Sequence, residues 1–252
     1  MGYSSRQKSS PWNPAEGSFF AAFLLWSAAG LVFTVERITP KVIVQWSLPD
    51  GLGAFVNFCL HHGDPILILL AAANTHLLAV RQWTAHDARN WAGWILVLSF
   101  GVEMLGVRTG LPFGDYTYTD RFGPLCFGVP LAIPLAWYVV VTNVLFVIRA
   151  VLPSFSPTLE AALGGLLCML YDFTLEPFAT TLKGYWLWKE GDVSPLNYPA
   201  WFVVSALLIR CFAPSLLTRY RLDPRPWLIL AIMILIFLVT QWVLAAPVQP
   251  GP

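Results

Sequence analysis

The chain has 252 residues, of which 57% are hydrophobic and 12% charged, with a formal net charge of +1 and a mean hydropathy of +0.63. This composition excludes a water-soluble domain, which would have to hide too much apolar surface, and marks an integral membrane protein. The small net charge excludes a basic surface for nucleic acid, so no nucleic-acid partner is expected.

Apolar runs centre near 18–35, 65–80, 91–107, 126–148, 158–175, 199–213 and 226–246, lengths suited to a hydrocarbon core of about 30 Å. They predict an all-α, polytopic transmembrane bundle of about seven spans. No internal repeat divides it, so residues 1–252 read as a single integral membrane domain. The first run follows a tail carrying Arg6 and Lys8 and continues to Val35 and Glu36 without a small-residue cleavage pattern; it reads as a retained helix.

Before the second run stands HHGDP, His61 to Pro65. Asp64 followed by Pro65 has the form of an N-cap with a first-turn proline. It would set GLGAFVNFCLHH apart as a short re-entrant or interfacial helix. The third run leads into EMLGVRTGLPFGDYTYTDRFGP, Glu103 to Pro124, a connection unusually rich in Gly, Pro, Tyr and Asp. The fifth leads into YDFTLEPFATTLKGYWLWKEGDVSPLNYPAW, Tyr171 to Trp201. With seven spans, both connections and HHGDP fall on the same side of the membrane. RLDPRP, before the last run, reads as a plain basic turn that sets topology, its prolines ending one helix and starting the next.

Nine basic residues fall on the N-terminal side: Arg6, Lys8, Arg81, Arg89, Arg149, Arg210, Arg219, Arg221 and Arg225. Six fall opposite: Arg37, Lys41, Arg108, Arg121, Lys183 and Lys189. The excess predicts a cytoplasmic N terminus. Cys59, Cys126, Cys168 and Cys211 lie in or beside apolar runs without a C-x-x-C pair and read as small buried hydrophobes.

Ionisable groups in the hydrocarbon region are costly and need a reason. Asp64, Glu103, Asp115, Asp172 and Glu176 all lie in or near the membrane on the unusual side. Asp172 and Glu176 are four apart, which places both carboxyls on one face of the fifth helix. Two like charges so close favour retention of a proton on at least one of them. Plainer roles stand beside this one: Asp64 as a helix cap, Glu103 as a partner of Arg108, and Asp172 with Glu176 as a structural hydrogen-bonded pair. The four histidines lack metal-binding spacing, and no metal is expected. Tyr116 and Tyr118 flank Thr117, and Tyr185, Trp186 and Trp188 cluster beside the second connection. Part of this enrichment is the ordinary interfacial belt, but aromatic faces also stabilise cations without quenching them. Acids with aromatic walls suit carbocation chemistry.

TGLPFGDYTYTDRFGP, GVPLAIPLAW, YDFTLEPFATTLKGYWLWKEG and SPLNYPAW resemble the membrane-integral carotenoid biosynthesis family, which includes carotenoid 1,2-hydratases of the gamma-carotene type and bisanhydrobacterioruberin hydratase. The resemblance covers the middle and later parts of the chain, and the TG-x-PFG-x-Y-x-Y block carries it most specifically. It implies hydration of the terminal double bond of an acyclic or monocyclic carotenoid to a tertiary alcohol in a bacterial or archaeal membrane, with water as co-substrate and no cofactor. Other enzymes of the same pathway are implied as neighbours. The family pattern has an acid at the positions of Glu103, Asp172 and Glu176, with Asp more usual at the last.

In that chemistry, a carboxylic acid protonates the alkene and water captures the tertiary cation. The Asp172 and Glu176 pair is the expected acid. Glu103 or Asp115 would position or deprotonate the water. Tyr116, Tyr118, Tyr185, Trp186, Trp188 and Asn197 would line the end-group pocket, and Thr109, Thr117 and Thr119 would help keep it wet. A dry pocket would instead favour a protonation-initiated cyclase. A non-catalytic carotenoid carrier or pathway scaffold would need the groove but not the acids. Redox hydroxylation is disfavoured by the histidine count and the absence of a G-x-G-x-x-G fingerprint.

Overall fold

The computed structural model describes residues 12–37, 45–153, 156–215 and 222–245. Arg6, Lys8, Lys41, Arg219 and Arg221 of the charge comparison lie outside these residues. Seven long helices are present among them: α1 (Pro14–Val35), α2 (Asp50–Gln82), α3 (Ala85–Thr109), α4 (Ala132–Val151), α5 (Pro157–Glu176), α6 (Asn197–Phe212) and α7 (Arg225–Ala245). All but α6, a 16-residue apolar helix, are long and apolar enough to cross a membrane, and the helical membrane bundle read from the apolar runs is observed.

Local chemistry starts three of these helices. Asn13 accepts from the Glu16 backbone N–H, and the Glu16 carboxylate accepts from that of Asn13, a reciprocal capping box with Pro14 in the first turn. Thr84 and Ser156 cap α3 and α5 more simply, each hydroxyl accepting one backbone N–H, that of Asp87 and that of Leu159. The sequence of α4, AIPLAWYVVVTNVLFVIRAV, is apolar around its whole circumference. Such a helix belongs inside a bundle, and α4 runs through the centre, packed against α2, α3, α5 and α7. Its polar residues bond between helices: Asn143 donates to Thr75 at 2.7 Å, and Trp91 donates to Thr142 at 2.9 Å.

Three sequence expectations are corrected here. The Asp64–Pro65 step is not a helix start: α2 runs unbroken through 33 residues with Pro65 inside it, so GLGAFVNFCLHH is part of α2 and is not set apart as a re-entrant or interfacial helix. At 1.5 Å per residue α2 is about 50 Å long, more than a ~30 Å core requires. RLDPRP is not merely a solvated turn. Arg225 is fully buried and donates through Nε and Nη2 to both oxygens of Asp223 at 2.9 and 2.8 Å, while Arg81 pairs with Glu16 at 2.8 Å and Arg225 lies 3.9 Å from the same carboxylate. Charge inside the bundle must be paired, and this network gathers the starts of α1 and α7 and the end of α2. Of the cysteines only Cys168 is buried, whereas Cys211 is exposed.

At the other end the two unusual connections meet. β1 (Tyr116–Tyr118) and β4 (Trp186–Trp188) form an antiparallel ladder pairing Tyr116 with Trp188 and Tyr118 with Trp186, and β2 (Leu125–Cys126) pairs with β3 (Val129–Pro130). Between α5 and β4 the chain widens into a π-helical turn, Pro177–Lys183. Alternate strand residues share a face, so Tyr116, Tyr118, Trp186 and Trp188 point inward together while Thr117 and Leu187 are exposed. Below the ladder α5 and α6 approach at Gly165, where a Cβ would lie 2.5 Å from the Phe202 carbonyl oxygen. Only glycine admits that approach, and it draws the acid-bearing end of α5 toward the start of α6.

Candidate functional site

Under the ladder lies a cavity of about 70 Å³ lined by residues of α2 to α7, β1, β4 and the π-helical turn. Four carboxyls face it: Asp64, Glu103, Asp172 and Glu176. Residue exposure is 4% for Glu103, 0% for Asp172 and 1% for Glu176, so three of them are sealed from the surroundings.

Asp172 and Glu176, one turn apart on α5, are joined by Asn197 at the start of α6. Its amide nitrogen donates to Asp172 Oδ2 at 2.6 Å and to Glu176 Oε1 at 3.0 Å. The other Glu176 oxygen accepts from the indole N–H groups of Trp188 at 3.0 Å and Trp186 at 3.3 Å. Asp172 Oδ1 is buried without a hydrogen-bond partner. A buried carboxylate wants donors at both oxygens. Glu176 has them, which suits an anion; Asp172 has one donor and one free oxygen.

Glu103 stands across the cavity on α3. Its Oε2 accepts from the Tyr116 hydroxyl at 2.6 Å and the Tyr118 hydroxyl at 2.8 Å, and its Oε1 accepts from the Trp137 indole at 2.8 Å. A carboxylate offers about four acceptor positions, so the position left is on Oε1. The pairing with Arg108 is not formed; Arg108 lies over the Phe127 ring. Gly106, one turn beyond Glu103, makes room for this arrangement: a Cβ there would sit 2.8 Å from the Tyr116 hydroxyl and 3.0 Å from Phe113.

Burial, followed by the Glu103 charge, pushes the Tyr116 and Tyr118 phenols up from their ordinary value. Burial and Asp64 do the same for Tyr185. All three therefore remain hydroxyl donors in the folded state. A raised folded value means that the stability they contribute is present below the unfolded tyrosine value, about 10, and is lost as pH rises beyond it. Unfolding midpoints are expected to drop steeply from about pH 10 upward, and the Tyr116→Phe, Tyr118→Phe double variant is expected to show a shallower drop. Parallel slopes in the two proteins would refute it.

Of the residues singled out in the sequence, Glu103, Asp172, Glu176, Tyr116, Tyr118, Tyr185, Trp186, Trp188 and Asn197 all line this cavity. Asp115 does not. It is exposed, pairs with Lys189 at 3.3 Å, and lines a separate, more polar recess of about 280 Å³ with Thr109, Glu190, Asp192 and Ser194. Thr117 is exposed, and Thr119 donates to the Gly184 carbonyl at 2.6 Å, so the polar lining of the main cavity comes from elsewhere. Asp64 is not a cap: Lys183 donates to its Oδ2 at 2.8 Å, and so does the Tyr185 hydroxyl. Sequence reasoning missed Trp137 and Trp201, which stack at 3.8 Å between centroids and 6° between planes against the cavity. Their signal was present, since they end GVPLAIPLAW and SPLNYPAW. Among the described residues no group of three or more His, Cys, Asp or Glu side chains is arranged to hold a metal ion.

Comparison with known proteins bears on this site. Residues 63–250 match the family model described as carotenoid biosynthesis protein. The chain is also 29% identical over 188 residues to a bisanhydrobacterioruberin hydratase of Haloarcula japonica, an alignment that covers 71% of this chain and 60% of that relative. The chain thus spans about 60% of the relative's length. No solved structure matches.

Proposed function

The chain belongs to the carotenoid biosynthesis protein family, and from that premise we propose that it hydrates the terminal 1,2 double bond of an acyclic carotenoid end group, leaving a tertiary alcohol. The observation that carries the proposal is the Asn197 bridge between two buried carboxyls, one of which keeps a free oxygen on the cavity wall.

In this mechanism Asp172 is the acid. Its O–H bond breaks as a C–H bond forms at the less substituted alkene carbon, and the charge settles on the tertiary carbon. Glu176, anchored by three N–H donors, and Glu103 across the cavity supply fixed negative charge close to the cation. Aromatic faces of the Tyr116, Tyr118, Trp186 and Trp188 set and of the Trp137 and Trp201 stack stabilise it further. Glu103 Oε1, with its remaining acceptor position, holds the water; the C–O bond forms and the released proton passes to this carboxylate. Returning that proton to Asp172 closes the cycle, so the sum is alkene plus water to alcohol. No electrons are exchanged, and the step requires no redox cofactor. Asp115, outside the cavity, has no part in it.

The proposed setting is a bacterial or archaeal cell membrane with the N terminus cytoplasmic, supported by the nine basic residues against six. Cells that accumulate an open-ended carotenoid, given the protein and heavy-oxygen water, are expected to yield a pigment one water heavier that carries the label. A cyclised product of unchanged mass would favour the cyclase. Unchanged pigment from two acyclic substrates would favour a carrier.

A further inference from the structure

Hydration needs water in a cavity whose walls are otherwise largely apolar and whose acids are sealed. Glu103, Asp172 and Glu176 are almost wholly buried. The fourth carboxylate on the wall differs, since the Asp64 side chain is 30% exposed while lining the same cavity. Lys183, its ion-pair partner at the end of the π-helical turn, is 32% exposed, and the Lys183 ammonium also lies 5.4 Å from the centre of the Phe178 ring, another wall residue. Tyr185 completes the group: its ring lines the cavity and packs 4.5 Å from Phe122, and its hydroxyl donates to Asp64. On the preceding turn of α2, His61 is exposed and His62 half-buried, which extends the polar approach outward. These residues span the sequence from α2 to the π-helical turn, and HHGDP has no other part in the site.

We propose that the Asp64, Lys183 and Tyr185 cluster is the water port of the cavity, a polar opening between α2 and the π-helical turn that admits water to Glu103 while the aromatic walls hold the end group. The inference rests on the hydratase reading. It assigns Asp64 a supply role and not a proton-transfer role: the alkene still takes its proton from Asp172, and what passes the port is the water whose oxygen bonds to the tertiary carbon. Lys183 and Tyr185 both occupy Asp64 Oδ2, which leaves Oδ1 to receive the incoming water.

The test plugs the opening after folding. In a background with Cys59, Cys126 and Cys211 replaced by Ser, Asp64→Cys is purified, equilibrated in D2O and reacted with benzyl methanethiosulfonate. Labelling is verified by intact mass. An acyclic carotenoid is then supplied, and both the alcohol and the deuterium in recovered unhydrated carotenoid are measured. With protein in excess over carotenoid, so that each acid spends only the deuteron it took up before labelling, alcohol formation is expected to fall at least tenfold relative to the unlabelled variant and to return on reduction with dithiothreitol, while deuterium incorporation persists, because protonation still occurs and the uncaptured cation gives a proton back. Alcohol within threefold of the unlabelled variant overturns the port. So does parallel loss of alcohol and deuterium, which would mean that the plug displaces the substrate. Asp172→Asn, run alongside, separates the two layers: it should abolish both signals, and if it retains both, the hydratase reading fails and not the port alone.

Discussion

Asp172→Asn is expected to lower hydration by about a thousandfold, within the range that a positioned general acid contributes, with little change in stability. Asparagine is nearly isosteric, and its carbonyl oxygen still accepts from the Asn197 amide, so the bridge to Glu176 survives. It cannot protonate an alkene. The comparison to make is pigment conversion at matched protein content in the membrane, together with thermal denaturation in detergent. Near-normal conversion would remove Asp172 from the mechanism. A large loss of thermal stability would instead assign the carboxyl to the fold. Glu176→Gln should behave differently. Its oxygens accept from three N–H groups, and placing an amide there sets donor against donor, so stability and activity should fall together.

Glu103→Leu is expected to unsettle the protein as well as silence it. Three donors, the hydroxyls of Tyr116 and Tyr118 and the Trp137 indole, converge on this carboxylate. Each buried donor left unpartnered costs about 1–3 kcal/mol, so the variant should lose about 3 kcal/mol or more, reduced by whatever water fills the gap. Glu103→Gln keeps the size and an acceptor oxygen but removes the charge. Its stability should lie between Leu and the native protein, and its rate should fall about a hundredfold if the anion stabilises the cation, by analogy with the loss of one preorganised electrostatic contact. A Gln variant with the native rate would show that Glu103 only anchors the ladder.

Much of the site is legible in the amino-acid sequence because the helical and strand periods are strict. The 3.6-residue period puts Asp172 and Glu176 on one face of a helix whatever its neighbours. The two-residue period puts Tyr116 with Tyr118, and Trp186 with Trp188, on common faces once those segments are extended. An even number of membrane crossings between the two connections places them at one end of the bundle, where they pair. Asp64 shows the limit of local patterns: Asp-Pro reads as a helix start, yet α2 continues through it because packing against its neighbours outweighs the proline's missing hydrogen bond.

Composition and period suffice for the membrane class, the helices and the set of acids and aromatics. Which acids meet is settled in three dimensions. Folding excludes Asp115, whose loop turns it toward Lys189. It admits Trp137 and Trp201, whose apolar helices reveal no site until they face each other. It joins Asp64 to Lys183 across 119 residues, and it buries the Asp223 and Arg225 pair that has the look of a surface turn. Partner choice among charges depends on distances in space, and those are set by close approaches such as the one at Gly165, where the absence of a side chain lets α6 bring Asn197 to the two carboxyls.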